Sequence, residues 1–146
     1  MPATFHLEII TQEKPLLKEE VESLYVTTID GDITVLARHT PYVSVLKPSE
    51  IIIKRNGQEE TFACTGGILE VTPEKTVILA DSAIRSEEID EAEALKAKEQ
   101  AEKVMAENLE EREQAETLAA LEKALLHIRI AKKRKSHAHG EFHNEI

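Results

Sequence analysis

The sequence contains no tryptophan, few other aromatic residues and a single cysteine, Cys64. One cysteine cannot form a disulfide within the chain, which fits a reducing compartment. We interpret Cys64 as a small buried apolar residue rather than a reactive thiol. The chain also lacks an apolar run of about 18 residues and the features of a signal peptide. We therefore expect it neither to span a membrane nor to be secreted.

Proline and glycine are missing from most of the second part of the chain. All five prolines and four of the five glycines lie before residue 74, and neither occurs between Glu74 and His139. A chain of 146 residues has room for one small domain and an appendage. We predict a turn-rich domain over residues 1–85, a helical region over residues 86–135 and a disordered tail over residues 136–146.

Positive charge is scarce as well. The chain has 18 basic and 28 acidic residues, for a net charge of −10. Such a surface repels phosphates, so we expect no binding to nucleic acid. The many glutamates are typical of a solvated helix face. Because the sequence shows no nucleophile beside a base and no paired carboxylates in a cleft-like setting, we expect no catalytic activity and no cofactor.

Histidines are concentrated in the tail, at His137, His139 and His143, with Glu141 nearby. A cluster of this kind could bind a metal ion. The segment is short, polar and contains glycine, so we interpret it as a disordered tail and expect no metal site.

The first 85 residues contain the pattern of short strands. Side chains alternate from Phe5 onwards, and Asn56-Gly57 is the pair that type I′ hairpin turns favour because both central residues need positive φ. Gly66-Gly67 permits a bulge or a close backbone approach but lacks the spacing of a phosphate-binding loop. About eight strands with closely spaced turns predict a β-sandwich.

Residues 86–135 follow a helical pattern. We expect Ser86 to cap the first helix, with acidic residues in the first turn, and Asn108 to mark the break between two helices. The first helix carries a stripe of mostly small apolar residues: Ala94, Ala97, Ala101, Val104 and Met105. The second carries a stripe of larger ones: Leu118, Leu121, Leu125 and Ile128.

Two amphipathic helices with a short connection predict an antiparallel hairpin. The predicted fold class is therefore α+β: a mainly β N-terminal sandwich followed by a C-terminal two-helix hairpin. An alanine stripe buries little apolar surface, so the hairpin is expected to be marginal. A switch between folded-back and extended helices and a fixed hairpin docked on the sandwich both remain open.

The basic block at residues 132–135, which reads KKRK, directly follows the acidic helical stretch. Basic residues at a helix C-terminus complement the helix dipole. The alternative is a cationic tip that meets an acidic partner surface.

Three spaced motifs resemble one protein family. Residues 30–41 read DGDITVLARHTP, residues 66–71 read GGILEV and residues 78–81 read ILAD. In this order they resemble the ε subunit of bacterial F-type ATP synthases. The likeness extends from Phe5 to about Ala94, and the helical remainder fits in kind.

The resemblance implies a sandwich and a helical hairpin in a rotor subunit that is not an enzyme by itself. It implies that the sandwich binds the γ subunit and the polar loops of the c-ring, peripherally, on the cytoplasmic face of the bacterial membrane. It also implies a role in coupling proton or sodium translocation to ATP synthesis. Asp32 and His39 match the family's ring-facing edge and are the candidates for the c-ring contact.

In many members of this family the C-terminal helices extend along γ into the catalytic head and inhibit ATP hydrolysis. Basic residues then meet an acidic loop of the β subunit. The resemblance thus gives a candidate inhibitory role to five residues: Arg129, Lys132, Lys133, Arg134 and Lys135.

The sequence departs from the family pattern in two places. Some members bind ATP through a motif Ile/Leu-Asp-x-x-Arg-Ala, of which Ile89 and Asp90 are present here while Glu93 replaces the arginine. A reversed charge beside a polyanion adds repulsion, so we predict weak or no ATP binding. Ala37-Arg38 stands where Pro-Asn or Pro-Gly is usual, which leaves the conformation of this loop open.

A competing hypothesis is a free-standing adaptor protein, whose sandwich binds a protein ligand and whose helices pair with a second copy. It predicts a stable homodimer through the apolar stripe at residues 118–128 and no affinity for a rotor subunit. The size of the protein in solution separates the two hypotheses.

Overall fold

The computed structural model describes residues 3–144, and the side chains of residues 3–136. The chain forms two compact units that divide after Arg85. The first unit is built of strands and the second of helices. This arrangement confirms the predicted fold class.

Ten strands make up the described part of the first unit, two more than the sequence predicts. All neighbouring strands pair antiparallel except β1 and β9, which run parallel. The strands are β1 Phe5–Thr11, β2 Pro15–Val21, β3 Ser23–Thr28, β4 Gly31–Leu36, β5 Tyr42–Leu46, β6 Ser49–Arg55, β7 Gln58–Cys64, β8 Gly67–Val71, β9 Thr76–Ala80 and β10 Ala83–Arg85.

The strands form one hydrogen-bonded sheet in the order β10-β7-β6-β3-β5-β8-β9-β1-β2, with β4 paired to β3. This sheet folds into a sandwich around a single apolar core, because alternate side chains of each strand point to the same side. Phe62 and Leu24 are fully buried there. Cys64 is buried too, and burial raises the pKa of its thiol, which confirms its interpretation as an apolar core residue.

The last strand of the sandwich is held by a half-buried ion-pair network. Glu60 on β7 accepts hydrogen bonds from Arg85 Nε at 2.7 Å and Arg55 Nη2 at 3.1 Å. The Arg85 guanidinium also lies 5.2 Å from the centre of the Phe62 ring and donates to the Leu16 carbonyl. These contacts fix the point at which the chain leaves the sandwich.

Two glycine predictions are confirmed. Asn56 and Gly57 both have positive φ, 51° and 75°, as the type I′ turn requires. Gly67 has φ 145°, and a Cβ at this position would collide with the Leu79 carbonyl and lie 2.9 Å from Ala80 Cα. Strand β8 therefore approaches β9 more closely than any side chain would allow.

The helical unit begins later than the sequence predicts. Residues Ser86–Glu88 form a 3₁₀ turn, followed by α1 over Glu91–Met105 and α2 over Glu111–Asn144. The N-cap of α1 is Asp90, not Ser86: its carboxylate accepts from the Ala92 and Glu93 amides at 3.0 and 3.2 Å. The 3₁₀ turn accounts for the shift, because it takes up Ser86–Glu88 and the extended residue from which a carboxylate can cap α1 is Asp90, two residues after the turn.

The predicted apolar stripes are correct only in part. Helix α1 buries Ala94 and Ala101, but Ala97 is exposed. On α2, Leu118 and Leu125 are both 44% exposed although they were predicted to face the partner helix. The face of α2 that carries Ala124, Ile128 and Ala131 is buried instead, and Leu118 and Leu125 lie to one side of this face on the helix. The buried residues of α2 are Ala124, Leu126, Ile128, Ile130 and Ala131.

We expect Gly67→Ala to destabilise the sandwich by at least about 3 kcal/mol, since the added methyl group meets rigid backbone at a strained φ. Gly57→Ala is the matched control, because a Cβ there meets nothing within 4 Å. Its cost comes from the left-handed backbone alone, about 1 kcal/mol. Urea unfolding of both variants measures the difference, and equal losses would contradict the close approach.

Candidate functional site

The β3–β4 hairpin presents Asp32 on its outer side. Asp32 pairs with Thr27 across the hairpin, which places it beside Tyr25. The Tyr25 hydroxyl donates to Asp32 Oδ2 at 2.6 Å. This hydrogen bond lowers the pKa of Asp32 and raises that of Tyr25, and a second hydrogen bond from Thr27 lowers the pKa of Asp32 further. Asp32 is therefore a fixed, exposed negative charge.

Asp30, in the same hairpin turn, has a structural role instead. Its Oδ2 accepts hydrogen bonds from Ser44 at 3.3 Å and from the Tyr42 hydroxyl at 3.4 Å. The Thr28 hydroxyl donates to the Gly31 carbonyl and completes the turn. Both aspartates are exposed, but the carboxylate of Asp30 is engaged by strand β5 and that of Asp32 by Tyr25 on β3.

His39 lies in the loop that follows β4. Its Nδ1 is 2.7 Å from the Thr40 carbonyl oxygen, and its ring stands edge-on to Tyr42 with ring centres 6.3 Å apart. The preceding residue, Arg38, has φ 64°, so the loop has a left-handed conformation at a residue other than glycine. His39 is thus held in place from both sides.

Asp32 and His39 are not brought to one point. Asp32 is the second residue of β4, and His39 lies three residues beyond its end. Four residues of extended strand from Asp32 to Leu36 span about 13 Å. His39 and Arg38 line a cleft of about 370 Å³ together with His6, Glu20 and Lys75. A surface that contacts both candidates must extend along β4.

An apolar row on the outer side of the sheet was not found from the sequence. Val45, Ile68, Leu79 and Ile10 are successive neighbours across β5, β8, β9 and β1. The first three are 46–49% exposed and Ile10 is half-buried. At about 4.8 Å between strands the row spans about 14 Å. The sequence signal is that these strands are apolar on both faces.

The adjacent row on the same face is mixed. It consists of Val43, Glu70, Val77 and Glu8. Glu8 is buried and lies 2.9 Å from Lys75 Nζ and 3.6 Å from Lys18 Nζ. The hydrogen bond from Lys75 lowers the pKa of Glu8. Glu8 thus stays ionised and its negative charge is compensated by two lysines. The outer face therefore presents no unpaired charge at that position.

The basic candidates of α2 divide into two groups. Arg129 and Lys132 are exposed. Arg134 donates to the carbonyls of Ser86 and Ile89, and Lys135 Nζ lies 2.6 Å from Glu91. Lys133 is exposed as well.

Ile89 and Asp90, the two residues that remain of the nucleotide-binding motif, both have structural roles. Ile89 is buried and Asp90 caps α1 with its carboxylate. Glu93 is exposed on the first turn. The side chains that would face a phosphate are therefore a capping carboxylate and a glutamate.

Within the described part of the chain, no group of three His, Cys, Asp or Glu residues could hold a metal ion. The predictions for His137, His139, Glu141 and His143 concern side chains outside the described residues. None of the helices, as far as the structure describes them, is long and apolar enough to cross a membrane.

The fold and these surfaces define a small sandwich-and-hairpin protein whose candidate sites are contact surfaces. Residues 4–86 match the family model described as ATP synthase, Delta/Epsilon chain, beta-sandwich domain. The chain is 40% identical over 130 residues to the ATP synthase epsilon chain of Chloroflexus aggregans, covering 89% of this chain and 94% of the relative. It is 38% identical over 130 residues to that of Herpetosiphon aurantiacus, covering 89% and 96%.

Two solved structures share the fold. A chain of the Euglena gracilis mitochondrial ATP synthase, OSCP/F1/c-ring, superimposes with a TM-score of 0.69 at 27% identity, covering 84% of this chain and 78% of that one. A chain of the Tetrahymena thermophila mitochondrial ATP synthase central stalk/c-ring gives 0.63 at 14% identity, covering 89% and 98%, which shows the fold alone. The chain belongs to the ATP synthase epsilon chain family, which confirms the resemblance seen in the sequence.

We expect Tyr25→Phe to raise the pKa of Asp32, because its strongest hydrogen bond is lost. A carboxylate with a lowered folded-state pKa adds stability above its unfolded pKa, and this contribution is lost as the pH falls through the folded pKa. The stability difference between wild type and Tyr25→Phe should thus be present at neutral pH and fade in acid. Carboxyl NMR titration and urea unfolding test this. Tyr42→Phe is the control, and an unchanged Asp32 pKa in Tyr25→Phe would contradict the prediction.

Proposed function

We propose that this subunit is a non-catalytic rotor component of the central stalk and couples proton or sodium translocation to ATP synthesis. Its sandwich binds the γ subunit and the c-ring, so it is a peripheral protein on the cytoplasmic face of the membrane. The description of the similar Euglena gracilis structure, which names a c-ring, supports this proposal.

The observation that carries the proposal is the apolar row of Val45, Ile68, Leu79 and Ile10. Three of its members keep nearly half of their surface exposed, although they are large and lie side by side. Patches of this kind mark protein contacts, and the centre of an interface is depleted in charge. We assign the row to the γ subunit, with Glu70 at its rim.

We assign the c-ring contact to the β4 edge, from Asp32 to His39. Asp32 supplies a charge held by Tyr25, and His39 supplies a ring fixed against Tyr42. The separation of the two side chains along β4 suits a partner that presents several equivalent loops rather than one pocket.

The helical unit is the candidate inhibitor of ATP hydrolysis, and its basic residues would meet an acidic surface of the β subunit. Arg129 and Lys132 are exposed and available for such a contact. We also propose that ATP binds weakly or not at all, because Asp90 serves as a helix cap and Glu93 adds negative charge.

The adaptor hypothesis receives less support. It requires a continuous apolar stripe over residues 118–128 for a homodimer. Leu118 and Leu125 are exposed, but Ile128 is buried within this chain. Two exposed leucines on one helix make a small contact area for a stable dimer.

We expect Val45→Asp and Ile68→Asp to weaken binding to a catalytic head of α, β and γ by about tenfold or more, because each places a charge at the centre of an apolar contact. Neither variant should unfold the sandwich, since both side chains point outward. The measurement is affinity by surface plasmon resonance, in the absence of the c-ring.

Leu36→Asp is the matched control for these variants. Leu36 is 55% exposed on β4, outside the row. If all three variants bind the head as well as the wild-type protein, the assignment of the row to γ is wrong. If Leu36→Asp alone weakens binding, the contact lies on β4.

We expect the triple variant Arg129→Gln, Lys132→Gln and Lys133→Gln to inhibit ATP hydrolysis by the head only at concentrations about three- to tenfold higher than wild type, because cations facing an acidic surface are removed. A control variant with Lys96, Lys103 and Lys123 changed to Gln loses the same charge elsewhere. Equal inhibition by the two variants would refute a role for these three residues.

A further inference from the structure

We propose that Arg134 and Lys135 form a latch that holds the helical pair closed by binding the start of α1, so that an acidic partner must displace this latch before it can bind them. The competition with a partner rests on the proposed inhibitory function. The latch itself rests on contacts within the helical unit.

Arg134 provides the first half of the latch. Its guanidinium donates to the carbonyls of Ser86 and Ile89, at the two sides of the 3₁₀ turn. The Ile89 amide also donates to the Ser86 carbonyl, at 3.3 Å. A planar guanidinium with several fixed donors can serve two carbonyls at once, which a lysine cannot do with the same geometry.

Lys135 provides the second half, through Glu91 in the first turn of α1. The Nζ–Oε2 distance is 2.6 Å, and the Glu91 side chain is only 19% exposed. The hydrogen bond from Lys135 lowers the pKa of Glu91, so the glutamate is charged at neutral pH. The α1 dipole adds to this, because a negative charge is favoured at a helix N-terminus.

The latch matters because the apolar contact between the helices is weak on the α1 side. The buried residues of α1 are Ala94 and Ala101. Their methyl groups remove little apolar surface from water. Polar contacts at the open end of the hairpin therefore contribute a larger fraction of the stability of the closed state than they would in a pair of leucine-rich helices.

The two cations cannot bind the start of α1 and an external acidic surface at the same time. An acidic partner can bind Arg134 and Lys135 only in the open state. Its apparent affinity is therefore its affinity for the open state multiplied by the open fraction of the protein. Arg129 and Lys132 are not part of the latch and are exposed in the closed form. We infer that these residues make the first contact and that Arg134 and Lys135 follow after release.

The test is Glu91→Gln in the full-length chain, which removes the negative charge that pairs with Lys135 without changing any basic residue. Amide hydrogen exchange in α1 and in the 3₁₀ turn should accelerate by roughly two- to fivefold, as expected for loss of a partly exposed ion pair. Exchange in the sandwich serves as an internal control of folding. Glu99→Gln, an equal charge change at an exposed α1 position, should leave the exchange unchanged.

A second variant tests the Arg134 half independently. Arg134→Lys keeps the charge but loses the planar fork, so it should also accelerate exchange near Ser86. If Glu91→Gln and Glu99→Gln give the same exchange rates and Arg134→Lys matches the wild type, the latch does not exist.

Inhibition of ATP hydrolysis by the α, β and γ head separates the latch from the proposed function. If both are correct, Glu91→Gln inhibits at lower concentration than the wild type, because less of the protein is closed. Faster exchange without stronger inhibition supports the latch and contradicts the inhibitory role. Exchange that is unchanged in both Glu91→Gln and Arg134→Lys overturns the latch, whatever the inhibition.

Discussion

The burial of one face of a continuous sheet determines which side chains are exposed on the other face and can contact a partner. Ten strands enclose one core, and the alternation of side chains that fills this core also fixes what lies outside. Ile68 is exposed because its neighbour Leu69 is buried. A one-residue slip in β8 would exchange the two, and Gly67 opposes such a slip because only glycine fits so near Leu79.

The two units differ in how firmly they are held. The sandwich combines fully buried side chains with an ion-pair network around Glu60 that fixes its last strand. The helical unit has an alanine seam on α1 and polar contacts from Arg134 and Lys135 at its open end. Such contacts are easily exchanged for others, whereas a packed core is not. A stable platform and a releasable helical pair are the physical requirements for a subunit that stays attached while one part changes state.

Sequence patterns predicted the elements better than the surfaces. The hairpin turn at Asn56-Gly57 and the close approach at Gly67 were predictable, because both depend on local backbone geometry. The cap of α1 was misplaced, since Ser86 and Asp90 satisfy the same local rule and only the 3₁₀ turn decides between them. The apolar row and the Arg134 contacts depend on which strands and helices become neighbours. That information is not local, so no short pattern contains it.

Photo-cross-linking from Ile68 tests whether the apolar row contacts the γ subunit. The full-length chain with a benzophenone amino acid at this position is assembled into the ATP synthase, illuminated and digested, and the adduct is identified by mass spectrometry. We expect a cross-link to the γ subunit, since Ile68 lies in the middle of the apolar row. An intact complex in which Ile68 remains free of γ, or attaches to a different subunit, would contradict it.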